Sequence, residues 1–174
     1  MHIELHSCAI RSWRHADAVA LQHYANNRNI WLNLRDSFPH PYTLADANAF
    51  LTQVTRQKPE TNFAIATSSE AIGGIGLRLG VDVHRKTAEL GYWLGEDFWG
   101  RGIMSQVVVE FVRQAFETFD LQRIYAEPFG TNRASMRILE KAGFTCEGRL
   151  RANVIKDGVV LDSCLYARVR NPAA

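Results

Sequence analysis

Apolar positions along this chain change period several times, and each change predicts an element. Residues 3–11 read as a first strand, which is taken to hold His2 and His6. Residues 13–24 read as a helix that turns Ala18, Leu21 and Ala25 inward. Asn26, Asn27, Arg28 and Asn29 break it, and residues 30–35 suit a second, short helix. Phe38-Pro-His-Pro-Tyr42 is a stiff loop, because two prolines fix φ and exclude helix. Thr43 is placed to cap a helix with Leu44, Ala47, Leu51 and Val54 on one face. Strands follow over 63–67, 71–79 and 87–94. Apolar residues then recur at Val107, Val108, Phe111, Val112, Ala115, Phe116 and Phe119, one face of a helix over 102–119. A strand over 123–127, a short helix and two strands over 145–155 and 159–168 complete the pattern. Lys156-Asp157-Gly158 is a hairpin turn between the last two. No repeat or linker interrupts the chain. One α/β domain over residues 1–174 is expected, with a mixed, mainly antiparallel sheet flanked by helices.

The most informative junction is where the strand over 87–94 meets the long helix. Trp99-Gly100-Arg101-Gly102 lies between them. A glycine-bracketed turn that opens a helix presents backbone N–H groups at the positive end of the helix dipole, which suits phosphate oxygens. Gly100 and Gly102 let a ligand approach the backbone, and Arg101 adds a fixed positive charge. The dinucleotide fingerprint fails, because its third glycine would fall on Ser105. The Gly-Lys-Ser/Thr of a nucleotide-triphosphate loop does not occur. The same residues also make a plain tight turn from strand to helix.

A second segment, Asn132-Arg-Ala-Ser-Met-Arg-Ile-Leu-Glu-Lys-Ala-Gly-Phe144, reads as an N-capped short helix that ends at Gly143. Together the two segments resemble the GNAT N-acetyltransferase superfamily. The first matches its acetyl-CoA pyrophosphate motif, the second its Asn-x-x-Ser-x-x-x-x-x-Lys-x-Gly-Phe helix. The wording of residues 91–94 and 99–106 is most similar to the RimJ/RimL branch, which acetylates N-termini of ribosomal proteins. The family's Gln/Arg position holds Trp99 and its last Gly/Ala position holds Met104; both changes are familiar within that branch. The resemblance covers about residues 8–170. It implies the GNAT fold, in which two central strands splay and acetyl-CoA enters the gap.

Composition narrows the alternatives. A formal net charge of +2 is too small to argue for direct nucleic-acid binding, though it permits local basic patches. Cys8, Cys146 and Cys164 are widely spaced and odd in number, so neither a disulfide framework nor a zinc site is suggested, and a reduced cytoplasmic setting fits. The N-terminus has no apolar signal core, and no run approaches the roughly 20 apolar residues that span a bilayer. The histidines define no helical metal face, so no metal is expected.

Acetyl transfer needs held phosphates, a polarised thioester carbonyl, a neutral amine and a stabilised or protonated leaving thiolate. Phosphate holding falls to the backbone of Gly100, Arg101, Gly102, Ile103 and Met104 beside Trp99, with the Arg101 charge. The peptide-like pantetheine arm can pair with strand backbone at Trp93 and Leu94. The resemblance gives Asn132 a grip on that arm, though a plain N-cap would look the same. It places Ser135 near the leaving sulfur as proton donor. Tyr166 is a competing donor, or an aromatic core residue with a bonded hydroxyl. Glu89 lies close in register to the acidic base of some superfamily members, or on a solvated strand face. Glu147 is a further base candidate acting through water.

The amine can be argued from its titration. At pH 7 roughly a tenth of a free α-amine is neutral, against well under a thousandth of lysine. A site without an obvious strong base therefore suits an α-amine. The acceptor wall in this fold comes from the early helices, here Trp31 to Tyr42 with Asp36, though Trp31 and Phe38 also suit core packing. The leading expectation is transfer from acetyl-CoA to a protein N-terminal α-amine by direct attack in a ternary complex, by a monomer or homodimer away from membranes. A small-amine acetyltransferase (amino acid, polyamine or antibiotic) and a non-catalytic acyl-CoA-binding module are the alternatives.

Overall fold

Where the pattern predicts one strand over 3–11, a small hairpin stands. The computed structural model describes residues 1–170, and in it β1 (Ile3–Glu4) and β2 (Ala9–Ser12) run antiparallel, with Ile3 opposite Ile10. Leu5 N donates to Cys8 O at 2.9 Å and reverses the chain at His6-Ser7, so His6 lies in the turn and His2 precedes β1.

The first helix also starts later than its pattern suggests. The Asp17 carboxylate accepts the Arg14 N–H at 2.8 Å and is forked by Arg11 at 2.7 and 2.8 Å. That arrangement closes a 3₁₀ turn at His15–Asp17, and α1 proper is Ala18–Ala25, with Ala18, Leu21 and Ala25 buried. The asparagines that end α1 also open the next helix. Asn27 Oδ1 accepts from Asn29 N at 2.8 Å and Ile30 N at 3.2 Å, so α2 is Arg28–Trp31 rather than 30–35. Thr43 and Asp46 form a reciprocal cap on α3 (Leu44–Arg56). Ala47, Leu51 and Val54 are buried there; Leu44, at the first helical position, is 48% exposed.

The remaining elements are β3 (Asn62–Ala66), β4 (Ala71–Leu79), β5 (Thr87–Leu94), α4 (Ile103–Thr118), β6 (Arg123–Ala126), α5 (Arg133–Lys141), β7 (Thr145–Lys156) and β8 (Val159–Val169). The sheet is mixed and mostly antiparallel, in the order β1-β2-β3-β4-β5-β6-β8-β7. β5 and β6 pair in parallel, Thr87 opposite Arg123, with α4 between them in sequence.

Two compact units divide the chain: residues 1–76 with 92–107, and residues 77–91 with 108 onward. In the first, α1 and α3 enclose a core of Trp13, Leu21, Tyr42, Leu51, Val54 and Ala64. In the second, β6, β8 and β7 pair antiparallel. Asp157 (φ 51°) and Gly158 (φ 76°) form the two-residue turn of the last hairpin, Lys156 opposite Val159. Among the described residues no helix is long and apolar enough to cross a membrane.

Candidate active site

β5 ends at Leu94, and the chain then makes a 3₁₀ turn, Glu96–Phe98. Backbone bonds fix its start: Gly95 N donates to Ile72 O at 2.8 Å, and Trp99 N to Glu96 O at 3.0 Å. The Trp99 indole N–H donates back to Leu94 O at 2.8 Å, so this side chain staples the turn to the strand end. Gly100 (φ 74°) and Gly102 (φ 75°) then adopt left-handed backbone that favours glycine. A Cβ at either would meet no atom within 4 Å, so the space beside both is open. α4 starts at once, with Ile103 and Met104 side chains buried. Their burial anchors the helix start, whose first N–H groups have no acceptor within their own helix.

Arg101 lies against an aromatic ring. Its guanidinium carbon lies 5.6 Å from the Phe98 ring centroid, and Phe98 meets Tyr24 edge-on at 5.5 Å. The turn therefore joins open space, helix-start amides and a supported cation, a donor set that fits a diphosphate.

The strand side of the turn depends on two glycines of β4. A Cβ at Gly73 would stand 2.5 Å from the Trp93 carbonyl oxygen, and one at Gly74 2.9 Å from the Trp93 indole nitrogen. Only glycine lets β5 approach so closely at the residues expected to meet pantetheine. Trp93 also contacts Phe38 at 5.7 Å, and Phe38 contacts Tyr42 at 4.9 Å. Phe38 thus packs against the first unit's core. Trp31 lies 5.5 Å from His40. Asp36 is exposed. Burial and the nearby Asp46 charge push the Tyr42 phenol up to about 12.

One more contact of this unit involves Glu96. Its carboxylate accepts from Asn27 Nδ2 at 2.6 Å and from Asn29 Nδ2 at 2.9 and 3.1 Å.

In the second unit Asn132 caps α5: its Oδ1 accepts from Ser135 N at 3.0 Å. Ser135 is half-buried in the first turn of that helix. Tyr166 is buried on β8, and its hydroxyl donates to Glu140 Oε1 of α5 at 3.0 Å. Desolvation first, then that bond, pushes the Tyr166 phenol up to about 12. Glu89, on β5, has a side chain only 14% exposed and pairs with Arg78 at 3.1 Å. Glu147 is gripped by both terminal nitrogens of Arg123, one at 2.7 Å, which holds its carboxyl below the ordinary range. Among the described residues no group of three or more His, Cys, Asp or Glu side chains is arranged to hold a metal ion.

Comparison with known proteins decides the family. A family profile described as the acetyltransferase (GNAT) domain matches residues 8–145, most of the chain. The chain belongs to the GNAT acetyltransferase family. Among curated GNAT relatives, the probable N-acetyltransferase YjcK of Bacillus subtilis is 40% identical over 115 residues, 65% of this chain and 63% of that protein. The ribosomal-protein-serine acetyltransferase of Escherichia coli is 32% identical over 107 residues, 62% of this chain and 59% of that protein. The chain thus spans about six tenths of the length of these relatives. A solved structure of RimL, a ribosomal L7/L12 alpha-N-protein acetyltransferase in complex with coenzyme A, shares the fold at TM-score 0.85 and 22% identity, covering 97% of this chain and 98% of that one.

Sequence reasoning finds the 99–104 turn and the Asn132 cap, because glycine and N-cap patterns are local. It misses Gly73, Gly74, Phe98 and Glu96. Gly-Gly inside a strand pattern was the available signal for a close backbone approach. The asparagine run at 26–29 reads only as a helix breaker until its partner, Glu96, is known.

Proposed function

We propose that this chain transfers the acetyl group of acetyl-CoA to a protein N-terminal α-amine by direct attack within a ternary complex. The observation that carries the proposal is the 99–104 turn: two left-handed glycines bordered by open space, a supported Arg101 and a helix start, in a chain of the GNAT family. The backbone of Gly100 to Met104 would hold the diphosphate, with Arg101 adding charge. Backbone at Trp93 and Leu94 would pair with the pantetheine arm; one oxygen there, that of Leu94, already holds the Trp99 indole. Resemblance to the family's Asn-x-x-Ser helix supports Asn132 as the proposed grip on the arm and Ser135 as the proposed neighbour of the leaving sulfur.

The chemistry balances without a redox partner. The amine nitrogen attacks the thioester carbon, the C–S bond breaks, the nitrogen loses one proton and the departing thiolate gains one. Ser135 is the proposed relay to the thiolate, ahead of Tyr166, whose hydroxyl proton is given to Glu140. Glu89 is the proposed acceptor of the amine proton, with Arg78 fixing its carboxylate. An α-amine needs little help, since about a tenth of it is neutral at pH 7. The named Escherichia coli relative acts, by its name, on a ribosomal-protein serine, which supports the choice of a protein terminus. The family profile runs from residue 8 to 145, through both compact units, which supports one domain serving one reaction.

Mass spectrometry of paired peptides tests the acceptor. One peptide has a blocked N-terminus and a free lysine; the other has blocked lysines and a free N-terminus. Acetyl-CoA should label the second. Acetyl only on lysine, or only on small amines offered alongside, would overturn the acceptor. No acetyl on any amine, with acetyl-CoA bound, would overturn the transfer itself.

A further inference from the structure

We infer that Glu96 is a positioning residue that couples the donor-binding turn to the acceptor-side loop, so that filling the turn orders the loop. The inference rests on the function proposed above, and every residue in it belongs to the first compact unit.

Glu96 opens the 3₁₀ turn that leads into Gly100 and Gly102, and its carbonyl accepts the Trp99 N–H at 3.0 Å. Its carboxylate takes N–H groups from two asparagines, Asn27 at 2.6 Å and Asn29 at 2.9 and 3.1 Å. Those asparagines form the start of α2, from which the loop over 32–42 departs. The same asparagine run fastens that loop at both ends. Asn33 Nδ2 donates to Asn29 O at 2.9 Å near its beginning, and Asn26 Oδ1 accepts the Tyr42 N–H at 3.0 Å at its end. One short polar network thus joins the phosphate turn to the whole candidate acceptor wall.

The chemistry at position 96 is specific. Asn27 cannot present its oxygen to Glu96, because that oxygen already accepts from Asn29 N and Ile30 N. Two amide donors therefore converge on the residue, and a carboxylate, with two acceptor oxygens and no donor, matches them. Glu96→Gln turns one oxygen into a donor that faces a donor. Glu96 and Asn29 are exposed, so the network adds little to global stability, and its consequence is geometric. The turn is tied at its two ends, and its two left-handed glycines are the positions between them where backbone can adjust as a ligand settles. Once it is fixed, the Glu96 carboxylate becomes a fixed anchor for α2 and the loop.

Hydrogen exchange of the whole chain with and without CoA tests this, and it needs no identified acceptor. In the wild type, CoA should slow exchange at 95–106 and also at 28–42, the latter by about fivefold or more, an ordinary coupling strength. Glu96→Gln should keep the first effect and lose the second, with an unfolding midpoint within about 3 °C of wild type. The swap Asn29→Asp with Glu96→Gln exchanges donor and acceptor and should restore the second effect. Slowing confined to 95–106 in the wild type, undiminished slowing at 28–42 in Glu96→Gln, or a swap that restores nothing overturns the coupling alone. No slowing at either segment overturns the donor-binding proposal with it.

Discussion

Asn132 has a structural task that can be separated from its proposed chemical one. Its Oδ1 accepts the Ser135 N–H and caps α5. Asn132→Ala should cost about 1 kcal/mol of stability, the ordinary value of a cap. Asn132→Asp keeps a strong cap and should leave stability within a few tenths of a kcal/mol, roughly. The proposal that the amide also holds the pantetheine arm gives a separate outcome: the Asp variant should raise the acetyl-CoA KM about tenfold, the loss of one hydrogen bond. Thermal unfolding and steady-state kinetics on both variants check it; an unchanged KM for Asn132→Asp leaves only the cap. At this scale the sequence was legible where a residue type has one use. Gly100, Gly102 and Gly143 stand at positive φ, as their places in turn and cap patterns imply. It was opaque for Glu96, whose meaning comes from Asn27, distant along the chain, and only partly legible for Gly73, whose Gly-Gly pattern signals a close approach without naming Trp93.

At the scale of elements, α5 is the clearest case of local coding. Gly143 N donates to Glu140 O and Phe144 N to Leu139 O, both at 3.0 Å, and Leu139 and Phe144 are buried together at its end. Each piece of that cap was visible as Asn132, Gly143 and Phe144. The first strand was misread because alternation from Ile3 to His6 lapses only briefly at His6-Ser7 before the apolar residues resume, and there a backbone reversal sets the break. The start of α1 was misread because Arg11 and Asp17 pair across six positions, a contact no periodicity encodes. α5 is tied to β8 by the Tyr166–Glu140 bond, and this has a pH signature. The folded phenol is raised from an ordinary 10 to about 12. Its contribution to stability is therefore complete below about pH 10 and is lost as pH rises toward 12. Tyr166→Phe should lower the unfolding free energy from urea titration at pH 8 by the value of one hydrogen bond, about 1 kcal/mol. It should also flatten the decline between pH 10 and 12, leaving the part owed to the other raised groups, Tyr42 and Tyr24 among them. An alkaline decline identical to wild type would contradict this account of the bond.

For the whole molecule, the element order was legible and the strand order was not. The α/β class, the mainly antiparallel mixed sheet and the bounds of β4 and β5 follow from periodicity. The position of β8 between β6 and β7 does not, because periodicity reports which face a residue buries and not which neighbour a strand chooses. The family resemblance supplied the fold class, and the family match over residues 8–145 agrees with it. The proposed donor side of the chemistry was legible because it is written in one contiguous turn. The proposed acceptor side is a loop whose ties, Asn26 to Tyr42 and Asn29 to Glu96, cross long stretches of sequence.

The central claim is that the 99–104 turn holds the phosphates of acetyl-CoA, and calorimetry with CoA and with pantetheine tests it most directly. Two charge-assisted bonds to the diphosphate amount to about 3 kcal/mol, or roughly a hundredfold in affinity. CoA should therefore bind at least about that much more tightly than pantetheine. Gly102→Asp, which sets a carboxylate into the open space beside a left-handed residue, should erase the difference. Equal affinities of the wild type for CoA and pantetheine would contradict the account.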